Sequence, residues 1–219
     1  MKARKSVADA AKLRLTMRIL MIGDSLTAGM TSGEKDYPPA MTIKKLLGRG
    51  SHQIMSEGLG GDELLNMPQR LENILKVQSA KHRGKVDVCV LWGGTNDIRL
   101  GKTCDETFEH VLSCIEICKR FDCERIVIAT LLEMSFENDG HGNISLNRKS
   151  FNDLVRNNSE RCNYRVCDVA GAVPMLSLSE SDRLIWFCDG LHLTKKGYGK
   201  VGKMLYDVIR TNGFLKKNV

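Results

Sequence analysis

At 219 residues, 42% of them hydrophobic, the chain has the length of one domain and enough apolar material for a sizeable core. Its apolar runs are too short to cross a bilayer or to form the core of a secretory signal, so neither membrane insertion nor secretion is expected. The formal net charge is +7, but Lys2, Arg4, Lys5, Lys12, Arg14 and Arg18 against Asp9 place +5 of it in the first 18 residues; the nearly balanced remainder argues against a nucleic-acid groove.

Residues 1–17 read as a basic solvated extension ahead of a single domain over 18–219. An amphipathic pattern through Val7, Ala11 and Leu15 keeps organelle targeting as the alternative. Ile19-Leu20-Met21-Ile22, bounded by Arg18 and Gly23, predict a buried parallel strand. Ser25 stands two residues beyond it, where a serine either caps the next helix or presents its hydroxyl at the crevice of an open sheet. Pro38-Pro39 close an irregular loop and open a helix over about 40–47, stopped by Gly48 and Gly50. A strand over 52–55 leads to a glycine-rich turn, and Leu64, Met67, Leu71, Ile74 and Leu75 then recur at helical spacing, with Pro68 in the first turns.

The clearest strand, 86–92, runs into Gly93-Gly94-Thr95-Asn96-Asp97. Phe108, Val111, Leu112, Ile115 and Cys118 predict a helix with Asp105 and Glu106 in its first turn. A buried strand over 125–131 follows, then a polar stretch, 133–145, that reads as a long mobile loop. A helix over 146–157, a strand over 164–169 and a last helix opened by Thr194 complete the chain. Strands alternating with helices predict a parallel sheet covered on both faces. Right-handed crossovers then carry the loops holding Ser25, Gly61 and Asn96 to one rim.

Chemistry-bearing residues concentrate in those loops. Asp189-Gly190-Leu191-His192 places a carboxylate three residues before an imidazole, a spacing that orients the ring and stabilises its protonated form. A surface turn before a capped helix has the same pattern. None of the other histidines (His52, His82, His110 and His141) has an acid at this spacing within a comparable glycine turn. The Asn96 side-chain amide is suited to donating to a developing oxyanion; equally, Gly94 and Asn96 suit a left-handed turn. Gly60-Gly61 could supply a backbone donor or simply permit a tight turn. The eight cysteines are dispersed, without a Cys-x-x-Cys pair, and read as reduced thiols of a cytoplasmic protein. Cys114 and Cys118 share a helix face but lack further ligands at metal spacing, so no metal site is expected.

Together, Gly23-Asp24-Ser25-Leu26, Gly94-Thr95-Asn96-Asp97 and Asp189-Gly190-Leu191-His192 resemble, in order, the first, third and last sequence blocks of the SGNH hydrolases, or GDSL esterases and lipases. The resemblance spans about 18–206. It implies a flavodoxin-like three-layer α/β/α fold with a five-stranded parallel sheet, and a serine esterase needing no metal or organic cofactor. Ser25 would be the nucleophile, His192 the base and Asp189 its orienting acid. The Ser25 N–H, Gly61 and Asn96 would form the oxyanion hole, with Asp24 and Asp97 holding the loops. The second block departs from the family pattern, with Ser56-Glu57-Gly58 where an asparagine is usual; Gly60 therefore stays open beside Gly61, which is favoured by its place before Asp62. The implied partner is a small or lipid-like acyl ester, with neither nucleic acid nor stable membrane insertion. An acyltransferase using the same site and a silent binding protein of this fold are the alternatives; phosphate-ester chemistry is weaker, because the turns lack a phosphate-cradling motif.

Overall fold

The computed structural model describes residues 17–33, 35–48, 52–80, 84–137 and 143–214. Apart from Met17, the expected basic extension lies outside the described residues. Five strands, β1 (Arg18–Gly23), β2 (Gln53–Gly58), β3 (Val88–Trp92), β4 (Arg125–Ala129) and β5 (Arg165–Cys167), form one sheet in the order β2-β1-β3-β4-β5. Every pairing is parallel. This is the flavodoxin-like order, in which the chain reverses its direction of travel between β1 and β3 and opens a crevice there.

Strand alternation divides the core in two. Leu20, Ile22, Cys89, Leu91, Ile126 and Ile128 face one way and pack on helices Met67–Ala80, Cys104–Arg120 and Ile144–Asn157 through Leu71, Ile115 and Phe151. Ile19, Met21, Val88, Val90 and Val127 face the other way, against Ile43 of helix Pro39–Leu47 and Val201, Leu205 and Ile209 of helix Lys195–Thr211. The sheet is thus buried on both faces, which is why its central strands read as continuous apolar runs.

The differences from the expected elements have local causes. β2 runs on to Gly58 because Ser56, Glu57 and Gly58 pair with Met21, Ile22 and Gly23; as an edge strand it carries polar, exposed side chains that hide its end. β4 stops at Ala129, short of Leu131, whose N–H and C=O are taken by the Asn152 side chain (2.7 and 2.9 Å). Helix Glu180–Trp186 was not expected: it has no buried residue and hence no apolar stripe to read. The 133–145 stretch is partly packed rather than a loop throughout. Met134 and Glu137 are buried, Glu137 pairs with buried Arg148 (Nη2 to Oε2, 3.0 Å), and helix Ile144–Asn157 begins inside the stretch. Residues 138–142 lie outside the described residues. Among the described residues, no helix is long and apolar enough to cross a membrane.

Candidate active site

β1 delivers Ser25 to the rim by close approach of two strand ends. A Cβ on Gly23 would lie 1.8 Å from the Trp92 carbonyl oxygen at the end of β3, so only glycine fits there. Thr27 Oγ1 donates to that same carbonyl at 2.8 Å, linking the two loops. The residue that caps helix Ser25–Ala28 is Asp24, whose Oδ1 accepts from the Leu26 N–H at 2.9 Å. Ser25 is the first helical residue, which leaves its hydroxyl free for another role. The helix has only four residues, so the useful polarity at its start is local N–H groups rather than a long helix dipole.

The Asp189–His192 turn comes from the opposite end of the chain. An antiparallel bridge between Phe187 and Leu193, with Cys188 N–H donating to His192 O and Thr194 N–H to Trp186 O (both 2.9 Å), closes it as a small hairpin. Ser135 N–H holds the apex by donating to Gly190 O at 2.9 Å. Asp189 Oδ1 accepts from the N–H groups of Leu191 (2.7 Å) and His192 (2.6 Å). Asp189 Oδ2 lies 2.8 Å from His192 Nδ1, and His192 Nε2 lies 2.9 Å from Ser25 Oγ. Burial pushes the Asp189 carboxyl up, but the hydrogen bonds from the His192 N–H, the His192 ring and the Leu191 N–H outweigh it and hold the carboxyl below the usual range. An ionised carboxylate only accepts, so Nδ1 carries a proton toward Asp189, which in a neutral ring would leave the Nε2 lone pair to the serine hydroxyl.

Asn96 and the glycine turn lie just beyond the ends of β3 and β2, the two neighbours of β1. Gly94, at φ 112°, caps helix Thr95–Arg99, and Asn96 is buried within it. One N–H of its side chain donates to the Asp62 carbonyl at 2.9 Å; the amide has a second. Leu59-Gly60-Gly61-Asp62 is a β-turn closed by Asp62 N–H to Leu59 O (3.2 Å), with Gly61 at φ 76° in the position that requires glycine. Among the described residues, the N–H groups of Ser25, Gly60 and Gly61 have no acceptor. Asp97 Oδ2 accepts from Leu64 N–H at 2.8 Å, tying the Asn96 loop to the chain beyond the turn.

All the residues singled out from the sequence therefore gather at one rim. Three that were not singled out also converge there. Asp62, a marker of position in the sequence, is a buried carboxylate paired with Arg70. Ser135 supports the turn through its backbone. Tyr198 OH donates to Met30 O at 2.7 Å. A charged residue next to the glycine pair and a cation eight residues later was the available signal for the first pair; the other two contacts involve main-chain atoms and leave no mark in side-chain pattern.

An α/β sheet with a serine, histidine and aspartate chained across its crevice defines a hydrolase-like class of protein. The family model of the GDSL-like Lipase/Acylhydrolase family matches residues 21–200, and the chain belongs to that family. Among solved structures, a member of the lipolytic protein G-D-S-L family from Veillonella parvula DSM 2008 superposes with a TM-score of 0.69 at 20% identity, over 89% of this chain and 99% of the other. A lipase/acylhydrolase from Enterococcus faecalis does so at 0.70 and 19% identity, over 90% and 97%. An acetyl xylan esterase, AlAXEase, gives 0.68 at 17% identity, over 88% and 100%. Likeness at these identities establishes the fold. No curated protein matches the chain in sequence.

Proposed function

We propose that this protein is a carboxylic ester hydrolase working through an acyl-enzyme on Ser25. The observation that carries the reading is the unbroken chain from Ser25 Oγ through His192 to Asp189, at 2.9 and 2.8 Å. As Ser25 Oγ attacks the ester carbonyl, His192 Nε2 takes its proton, and Asp189 stabilises the resulting imidazolium. The carbonyl oxygen becomes an oxyanion facing the Ser25 N–H, the Gly61 N–H and the free N–H of Asn96. His192 returns the proton to the departing alcohol. Water, deprotonated by the same nitrogen, then releases the acid and restores the serine.

The substrate proposed is a small or lipid-like acyl ester. Met30 and Leu59, 38% and 51% exposed, are apolar residues flanking the serine and the glycine turn. Met30 Sδ would lie 2.8 Å from a Cβ on Gly60, so this side chain overlies the turn and offers contact to an acyl or alcohol chain. Cys89, Cys104, Cys114, Cys118, Cys123, Cys162 and Cys167 are free thiols, which supports a reducing, cytoplasmic setting. Ser25→Ala is expected to lower p-nitrophenyl acetate hydrolysis by at least about 10³-fold, with unchanged thermal unfolding and loss of fluorophosphonate labelling. Turnover equal to the unaltered protein would remove Ser25 from the reaction.

A further inference from the structure

Arg70, on helix Met67–Ala80, reaches three main-chain segments at the edge of the crevice. Its Nη2 donates to Glu57 O at 2.7 Å, near the end of β2. Its Nη1 donates to Gly23 O at 3.3 Å, two residues before Ser25. The same Nη1 pairs with Asp62 Oδ2, while Asp62 Oδ1 accepts from Asn66 Nδ2 at 3.0 Å. Asp62 is also the residue whose main-chain carbonyl aims the Asn96 amide. One guanidinium therefore spans the approach to Ser25, the end of β2 and the residue joining Gly61 to Asn96.

This bridging matters because the glycine turn is open at Gly61. Gly60 and Gly61 are both exposed, and a Cβ on Gly61 would meet nothing within 4 Å, so no packing surrounds that position. Two adjacent glycines are the most freely rotating dipeptide the chain can offer. The turn is fixed at its ends: Leu59 N–H donates to Gly23 O at 3.0 Å, and the Asp62 side chain, 4% exposed, is held by Arg70. Oxyanion stabilisation depends on donors already in place when charge develops. We infer that Arg70 is a positioning residue for the hydrolysis proposed above: it keeps the Ser25 N–H, the Gly61 N–H and the Asn96 amide at fixed separations without touching substrate. Lysine cannot substitute, since a compact ammonium lacks the planar fork that reaches several acceptors at once.

This inference rests on the ester-hydrolase reading, so its test begins with fluorophosphonate labelling of the unaltered full chain. Arg70→Lys, Arg70→Ala and Asp62→Asn are then compared by thermal unfolding, by kcat and KM for p-nitrophenyl acetate, and by inhibition with a trifluoromethyl ketone, whose adduct with the serine carries an oxyanion. The expected result is a fall of about 10- to 100-fold in kcat for both Arg70 variants, with KM within about threefold. Ketone affinity should weaken in step with kcat/KM, and guanidinium ion at tens of millimolar should recover part of the kcat of Arg70→Ala while leaving the unaltered protein unaffected. If Arg70→Ala does not fold, Arg70→Lys and Asp62→Asn carry the comparison. Full kcat in Arg70→Lys, or a loss matched only by the fraction unfolded with ketone affinity intact, overturns the positioning role while labelled Ser25 leaves the hydrolase reading standing. An unaltered chain that neither labels nor turns over overturns both.

Discussion

Asp24 offers a direct test of the electrostatics beneath the crevice. It is 1% exposed; its Oδ1 accepts from Leu26 N–H, and its Oδ2 is buried without a partner among the described residues. Burial, with added repulsion from Asp97 and Asp62, raises its carboxyl from the ordinary 3.8 to about 7 against the opposing effect of the Leu26 N–H. Between about pH 4 and pH 7 the unfolded chain therefore releases a proton that the native protein keeps, and stability falls as pH rises. Each unit of pH is worth about 1.4 kcal/mol, so the whole descent is about 4 kcal/mol. In Asp24→Asn the amide oxygen can still cap Leu26, and the side chain exchanges no proton at any pH in this range. Thermal unfolding followed by circular dichroism at intervals between pH 4 and pH 8 should show the Tm of the variant gaining on that of the unaltered protein by roughly 10 °C across the range. Titrating groups remote from residue 24 are common to both proteins and cancel in the difference. A difference in Tm that stays constant with pH would refute the raised carboxyl.

Two further substitutions probe the rim from its other sides. Asn96→Ala should lower kcat by about 10²- to 10³-fold with little change in KM, because it removes the proposed oxyanion donor; steady-state kinetics on p-nitrophenyl acetate measures it, and an unchanged kcat would exclude the amide from the reaction. A Cβ on Gly190 would lie 2.1 Å from Ser135 Oγ and 3.2 Å from Ser135 Cβ, so Gly190→Ala should displace the turn that carries Asp189 and His192 and cost about 10-fold in kcat. The double variant Gly190→Ala, Ser135→Gly should recover most of that loss, and failure to recover would place the cause elsewhere.

The central strands were legible because burial on both faces makes them uninterrupted apolar runs: Ile19 to Ile22 and Val88 to Trp92 announce themselves. The long helices were legible from stripes such as Val201, Leu205 and Ile209. What escaped reading was decided by single contacts. The end of β4 depends on Asn152, a side chain 21 residues from Leu131, and the exposed helix Glu180–Trp186 has no apolar face. At the rim, the spacing of Asp189 and His192 was visible, as was the glycine pair. The identity of the cap was not, since Asp24 and Ser25 are both good capping residues and only the backbone decides between them. Of the Arg70 contacts only the pairing with Asp62 left a trace in the sequence, since its other two partners are carbonyl oxygens, which every residue type possesses.

The bond between Ser25 Oγ and His192 Nε2 joins residues 167 positions apart. A ribosome would therefore finish β1 and its serine long before the imidazole exists. For the nucleophile proposed above, the two ends of the domain must both be in place before the serine meets its base.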